Sequence, residues 1–283
     1  MSANAKTKEP QTTAVATTSG STVPDYLQES VMRDAGQGVS TDAADNLVPL
    51  IYVLDAKSPQ ADASDSRHIS GAKAGDIWLR NFSPPIVTGQ DGILFQPCHF
   101  TKDWVEWRLR KNGGGFVGRH DWNPDTEFGQ PPEAKKAPHP ENPAKTIWLM
   151  PSGNEVKETR YHAGYVMING GAFPFVIPFS STGHTVSKSW MFNIMSKRTS
   201  DGRPIPSFAC VYRLKTKQRT NSQGKWNVFD VTDAGENGKP RYATLEEYNR
   251  GKALYDAFVS GEKRADVEEE ETATAAAGAD DKM

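Results

Sequence analysis

Four basic side chains occupy every second position between residues 213 and 219. Because successive side chains of a β-strand point to opposite faces, all four would project from the same face of a strand. The other face would turn Phe208, Cys210, Tyr212 and Leu214 toward a core. A row of like charges is repulsive unless an anion lies across it, and a nucleic-acid backbone supplies such an anion. The pattern predicts a phosphate-binding strand, and the alternative is a solvated edge strand that uses lysine to discourage aggregation. The four residues are Arg213, Lys215, Lys217 and Arg219.

Further cations and aromatic residues lie close to this strand in the sequence. Residues 183–226 contain nine Lys or Arg residues and one carboxylate, Asp201. Single-stranded nucleic acid is bound by a basic groove together with aromatic rings on which the bases stack. Trp226 follows a turn and adjoins Lys225, so we expect it to stack on a base, with Tyr212 as a second candidate. The predicted nucleic-acid-binding residues are Lys188, Arg198, Tyr212, Arg213, Lys215, Lys217, Arg219, Lys225 and Trp226.

The sequence gives less support for an enzyme than for a nucleic-acid-binding protein. The six histidines are scattered without the spacing of metal ligands, and the glycines at 113–115 lack the Gly-Lys-Ser/Thr ending of a phosphate loop. Two cysteines, Cys98 and Cys210, are too few for a disulfide framework or a Cys-rich zinc site, which favours a reducing cytosol. We predict no catalytic residue, no metal and no cofactor, and a nuclease whose carboxylates are not located by any motif stays open.

The elements that must position these residues are mostly short strands bounded by turn residues. From residue 146 to residue 231 the order is strand, strand, strand, helix, strand, strand, which is the element order of an OB-fold. We therefore predict a mainly β fold with a few helices, built as a β-barrel with an OB-fold-like core and insertions. The predicted strands are 47–54, 76–82, 92–100, 104–109, 146–150, 155–168, 173–179, 207–219 and 225–231.

Helices and one long loop complete the pattern. Trp190 and Ile194 fall on one stripe of a helix predicted at 187–197, and an amphipathic turn is predicted around 26–32. Residues 244–247, Thr-Leu-Glu-Glu, form a capping box for a last helix that ends at Gly261. Residues 121–143 contain six prolines and no periodicity, which predicts a long surface loop.

Charge divides the 283-residue chain into three parts, although the total is only -2. Residues 1–45 carry a net charge of -3, residues 46–264 one of +7, and residues 265–283 one of -6. We predict a disordered N-terminal segment at 1–45, a β-rich nucleic-acid-binding domain at 46–261 and an acidic disordered tail at 262–283. The longest apolar stretch, 172–179, is eight residues with two prolines, so no membrane span is expected. The N-terminus also lacks an apolar secretion signal.

A set of short segments within residues 46–231 is distinctive, namely 69–76, 104–107, 113–115, 180–190, 204–206, 212–216 and 221–226. In these segments the chain resembles a group of phage and prophage proteins. More loosely, a basic β-rich body with an acidic tail is similar to phage replication single-stranded DNA-binding proteins with an OB core. That resemblance implies a host-cytoplasmic protein whose tail contacts replication or recombination proteins and competes with DNA. The tail here ends Asp-Asp-Lys-Met, without the aromatic residue that such tails often carry.

The sequence as a whole therefore predicts a non-enzymatic single-stranded DNA-binding protein for replication or recombination. A second class stays open, in which a phage structural or host-interaction protein uses the basic strand to meet an acidic protein partner. A DNA-processing nuclease is the third. The preference for DNA over RNA and assembly into a homo-oligomer also stay open.

Overall fold

The computed structural model describes residues 24–34, 46–140, 142–221 and 224–267. The chain divides into two compact units, Met1–Ser40 and Thr41–Met283. In the first unit, helix α1 (Asp25–Arg33) covers the predicted amphipathic turn. The rest of the predicted N-terminal segment and the acidic residues 268–283 lie outside the described residues.

The second unit is mainly β, as the sequence predicted. Its helices are α2 (His184–Ser196) and α3 (Leu245–Val259), with short 3₁₀ helices at Arg110–Asn112, Ser181–Gly183, Ser207–Ala209 and Glu236–Gly238. Its described strands are β1 (Leu47–Val48), β2 (Ile51–Val53), β3 (Ile77–Leu79), β4 (Ile86–Val87), β5 (Ile93–Trp107), β6 (Phe116–Asp121), β7 (Lys135–His139), β8 (Asn142–Leu149), β9 (Glu155–Ile168), β10 (Gly171–Ser180), β11 (Cys210–Asn221), β12 (Gly224–Asp233), β13 (Arg241–Tyr242) and β14 (Arg264–Ala265).

A nine-stranded antiparallel sheet is built around the long pair β5 and β9. The strand order is β12-β11-β5-β9-β8-β7, with β10 also beside β9, β6 beside β5 and β13 beside β11. Within the described residues the pairing of these strands does not close into a barrel, and the OB-fold-like part of the prediction is not confirmed. Strand β5, which precedes the predicted six-element run in the chain, lies between two of its members, β9 and β11.

Several boundaries differ from the sequence predictions. The strand predicted at 47–54 is divided into β1 and β2, and β8 begins at Asn142 instead of residue 146. Strand β5 is continuous where two strands were expected, because its polar middle, Thr101–Asp103, keeps pairing with β9. The predicted loop at 121–143 contains β7, whose Pro138 is tolerated because β7 is an edge strand. The folded body also extends past residue 261. Strand β14 pairs with β1, Asp266 forms an ion pair with Arg80 at 3.1 Å, and Val267 is buried.

The two helices of this unit cover opposite faces of the sheet. Phe95 on β5 contacts the ring of Trp190 on α2, which is 2% exposed as the helical stripe predicted. The neighbouring Gln96 points the other way and donates a hydrogen bond to the main-chain oxygen of Glu247 on α3. The small sheet β2-β3-β4 packs with α2 on the first face.

Helix α3 begins as the capping box predicted. Thr244 Oγ1 accepts a hydrogen bond from the Glu247 N–H, and the Glu247 carboxylate accepts one from the Thr244 N–H. Within the described part of the chain, no helix combines the length and the apolar character needed to cross a bilayer.

Candidate nucleic-acid interface

The hairpin of β11 and β12 extends beyond the rest of the sheet. Strand β11 pairs with β5 only at Tyr212–Leu214, whereas its pairing with β12 continues to Asn221 and Gly224. We call residues 215–221 and 224–230 the arm. Its base is held by backbone, because the Thr216 N–H donates to the Gly89 carbonyl and the Thr216 hydroxyl donates to the Gly75 carbonyl. A Cβ at Gly89 would overlap that hydroxyl, so only glycine fits there.

The four predicted cations lie on one face of this hairpin. Lys215, Lys217 and Arg219 are exposed and Arg213 is half-buried. The alternate residues Tyr212 and Leu214 are buried, which confirms the predicted two-residue alternation.

Strand β12 contributes one carboxylate to the basic face. The β12 residues that pair with the four cations are Thr232, Asp230, Val228 and Trp226. Asp230 forms an ion pair with Lys217. The face therefore carries four cations and one carboxylate, and this excess of positive charge suits a polyanion.

The two predicted stacking residues have different environments. Trp226 lies directly across from Arg219, is half-buried, and packs against the core with its indole nitrogen buried. Tyr212 is 1% exposed, and its hydroxyl accepts a hydrogen bond from Lys197 Nζ at 3.1 Å. Burial raises the pKa of this hydroxyl. Of these two predicted residues, Trp226 is the one with a surface that a base could contact.

Three further predicted cations surround the arm without joining its basic face. Lys225 pairs with Thr220 and so starts on the opposite face of the hairpin. Lys188 is exposed on α2. The Arg198 guanidinium donates to main-chain oxygens of Met195 and Lys197, which holds it against the end of α2.

One exposed ring near these cations was missed from the sequence. Phe192 on α2 is 73% exposed, whereas Trp190 and Ile194 on the same helix are buried. The sequence contained the information needed to predict this exposure, because Phe192 lies off the apolar stripe that predicted the buried face of the helix. Its ring adds a second candidate stacking surface.

A buried ion pair fixes the end of α2 to the base of the hairpin. Lys197 Nζ lies 2.8 Å from Asp233 Oδ1, and both side chains are about nine-tenths buried. Asn193 Nδ2 donates to the other Asp233 oxygen at 3.1 Å and its amide oxygen accepts from Lys197. Because each charge has its partner inside the protein, this group positions α2 beside the hairpin rather than binding an external anion.

A serine–histidine pair lies beneath α2, but it is closed to substrates. His162 Nε2 and Ser187 Oγ are 2.8 Å apart, and the two residues are 1% and 0% exposed. The imidazole stacks on Trp190 with ring centroids 4.5 Å apart. Burial, with a smaller effect of Arg160, lowers the pKa of His162 to about 3, so the ring is neutral. The pair is therefore part of the core.

The cysteines and the acidic residues were the other groups with possible chemistry. Burial raises the pKa of Cys98 to about 12 and that of Cys210 to about 11, so both stay thiols at neutral pH. Within the described residues, no three His, Cys, Asp or Glu side chains are grouped so that they could hold a metal ion.

Comparison with known proteins gives a match to a family model. A family model described as Pam3 phage gp34-like protein matches residues 16–264. No curated protein matches the chain, and no solved structure matches it.

Proposed function

The chain belongs to the Pam3 phage gp34-like family, and we propose that this phage protein binds single-stranded DNA in replication or recombination. The observation that carries the proposal is the basic face of the arm. Lys215, Lys217 and Arg219 are exposed there in register, with Asp230 as the one carboxylate on that face. Lysine and arginine that neutralise phosphates release counterions, and this release supplies affinity without regard to sequence.

Aromatic rings beside the basic face favour a single strand over a duplex. The bases of a single strand are free to stack on protein rings, whereas those of a duplex are already stacked on one another. Trp226 pairs directly with Arg219, so a phosphate on the guanidinium would bring the next base close to the indole. The exposed Phe192 ring on α2 offers a further platform.

The proposed role also defines a location and partners. Phage DNA replicates in the cytoplasm of the host, so we propose that the protein acts there. We further propose that the acidic residues at the C-terminal end contact replication or recombination proteins. The net charge of -5 over residues 268–283 suits a basic surface on such a partner.

Binding of labelled oligonucleotides at a series of salt concentrations tests the proposal. We expect a mixed-sequence single strand of about 20 nucleotides to bind more tightly than the matching duplex. The logarithm of the binding constant should fall with the logarithm of salt concentration with a slope of about -2 to -3, from three or four phosphate contacts at about -0.7 each.

Two results would count against this function. Equal affinity for the single strand and the duplex would show that the rings do not contribute. An absence of binding to any nucleic acid at low salt would overturn the proposal and favour the other class, in which the basic face meets an acidic protein.

A further inference from the structure

A small cleft separates α2 from the hairpin of β11 and β12. Its volume is about 210 Å³. From α2 it is lined by Thr185, Ser189 and Asn193, which are four residues apart and so share one side of the helix. From the arm it is lined by Lys217 and Arg219. We call this the α2 cleft.

The charge of the α2 cleft is positive. Lys217 and Asp230 both line it and neutralise each other in an ion pair. Arg219 is exposed and has no ion-pair partner in the described part of the chain. One guanidinium is therefore left to attract an anion.

Neutral hydrogen-bond donors surround this charge. Among the described residues, neither the Thr185 hydroxyl nor the Ser189 hydroxyl has a hydrogen-bond partner. Trp190 also lines the cleft, but it is 2% exposed and its Nε1 is buried, so its ring forms part of the wall and the hydroxyls are the groups that can donate to a ligand.

We propose that the α2 cleft holds one backbone phosphate of a bound single strand, an inference that rests on the proposed function. Arg219 would supply the charge, and Thr185 and Ser189 would donate hydrogen bonds to the phosphate oxygens. Phosphate is favoured because arginine and hydroxyl groups are its usual protein partners. The cleft is also smaller than the 300–1,000 Å³ of typical small-molecule pockets, which suits a phosphodiester group better than a whole cofactor.

This assignment gives the strand a direction across the protein. A phosphate in the α2 cleft lies between the basic face of the arm and α2, which carries Lys188 and Phe192. The strand would therefore cross from the arm to α2 rather than follow the arm alone. The hydroxyl contacts add orientation but no charge, and this separates them experimentally from the cations.

The test replaces the hydroxyls and leaves every charge in place. We expect the double variant Thr185→Val/Ser189→Ala to bind a mixed-sequence single strand about tenfold more weakly, because two hydrogen bonds to a charged group are lost. Its salt slope should equal that of the wild type. The variant Arg219→Gln should bind more weakly and also lose about 0.7 from the slope. Thr146→Val/Ser200→Ala, at exposed positions outside the cleft, is the matched control.

A modified DNA ligand makes the test specific to one phosphate. In a series of oligonucleotides, each with a single uncharged methylphosphonate linkage, the wild type should lose affinity most at one position. The Thr185→Val/Ser189→Ala variant should lose less at that position than the wild type does. In a ¹⁵N–¹H spectrum, the indole N–H resonance of Trp190 should move when the unmodified strand is added to the wild type.

The outcomes distinguish the two proposals. If the wild type binds single strands and the hydroxyl variant binds equally well, the α2 cleft is not a phosphate site and the function stands. If the wild type binds no single strand, the proposed function fails and this inference fails with it. Equal losses in the hydroxyl variant and in the Thr146→Val/Ser200→Ala control would also overturn the assignment of the cleft.

Discussion

The arm and a second region at the far end of β5 both combine cations with aromatic rings, yet they use them differently. We call the second region the aromatic lobe; it contains Lys102, Trp104, Trp122, Phe128, Lys136 and Trp148. In the lobe, Lys102 Nζ lies 4.1 Å from the centre of the Trp122 ring, and Lys136 Nζ lies 4.1 Å from that of Phe128. In the arm, Lys215 and Arg219 extend into solvent.

The difference lies in where the positive charge finds its partner. A cation over a ring face is stabilised by about 0.5–1 kcal/mol at an exposed site. In the lobe each of these cations therefore has a ring as its partner, although Phe128 stays 37% exposed, and Trp104 and Trp148 pack edge to face with centroids 5.7 Å apart. The arm leaves its cations and part of Trp226 available. A similar set of residues therefore contributes to stability in the lobe and, we propose, to binding in the arm.

Removing charge should give the largest difference in DNA binding between the arm and the lobe. The arm variant Lys215→Gln/Lys217→Gln/Arg219→Gln should fold normally but bind a single strand tenfold to a hundredfold more weakly, because each exposed charge contact is worth up to about 1 kcal/mol. The lobe variant Lys102→Gln/Lys136→Gln should change affinity less than twofold. Its free energy of unfolding should fall by about 1–2 kcal/mol. Fluorescence anisotropy and urea unfolding measure the two effects. Weaker binding in the lobe variant would move the interface to the lobe.

Removing one aromatic ring from each region should give a smaller difference between the arm and the lobe. Trp226→Ala should weaken single-strand binding by about 1–2 kcal/mol, the contribution of one stacked base. Trp148→Ala should leave binding unchanged and lower the free energy of unfolding by about 2–3 kcal/mol, since Trp148 packs on Trp104 and Phe128 in the lobe. Single-strand affinity and urea unfolding are measured for both variants. If Trp148→Ala weakens DNA binding while the free energy of unfolding is unchanged, the lobe contributes to binding and the proposed difference between the two regions is wrong.

The smallest effects concern acid stability, where the two ends of the sheet should respond in different pH windows. On the arm side, burial holds the pKa of His162 at about 3, below its value in the unfolded chain. Protons therefore bind the unfolded state first, and the stability from this group falls as the pH drops below about 6.5, by up to about 1.4 kcal/mol per pH unit. His162→Gln should show a shallower loss between pH 6.5 and pH 5 in urea unfolding. An identical slope would mean that the imidazole is not the group responsible.

On the lobe side, the relevant group is Glu106. Burial raises the pKa of this carboxyl, but hydrogen bonds from Asn154, His120 and Ser152 outweigh burial and lower it overall. A lowered carboxyl pKa contributes stability that is present above the unfolded value and is lost as the pH falls through the folded one. Glu106→Gln should therefore alter the pH dependence of unfolding only below about pH 4.5. An effect at pH 6 would contradict this division.

Local patterns in the sequence predicted much of this molecule. The two-residue alternation around Arg213 and Lys215 gave the exposed face of β11, and the stripe of Trp190 and Ile194 gave the buried face of α2. The capping box gave the start of α3. These features depend on the geometry of a few consecutive residues, so a single segment contains the information. For the same reason the sequence located the candidate cations of the arm.

Only the tertiary structure decided which segments meet. Strand β5 lies between β9 and β11, although the predicted six-element run did not include it, and Asp230 on the neighbouring strand pairs with Lys217. Val267, which the acidic composition around it assigned to the tail, is buried beside β1. The α2 cleft likewise joins Ser189 to Arg219 across 30 positions of sequence. Such contacts depend on strand order and on the packing of segments that are distant in the sequence. The periodicity of a single segment therefore cannot predict them.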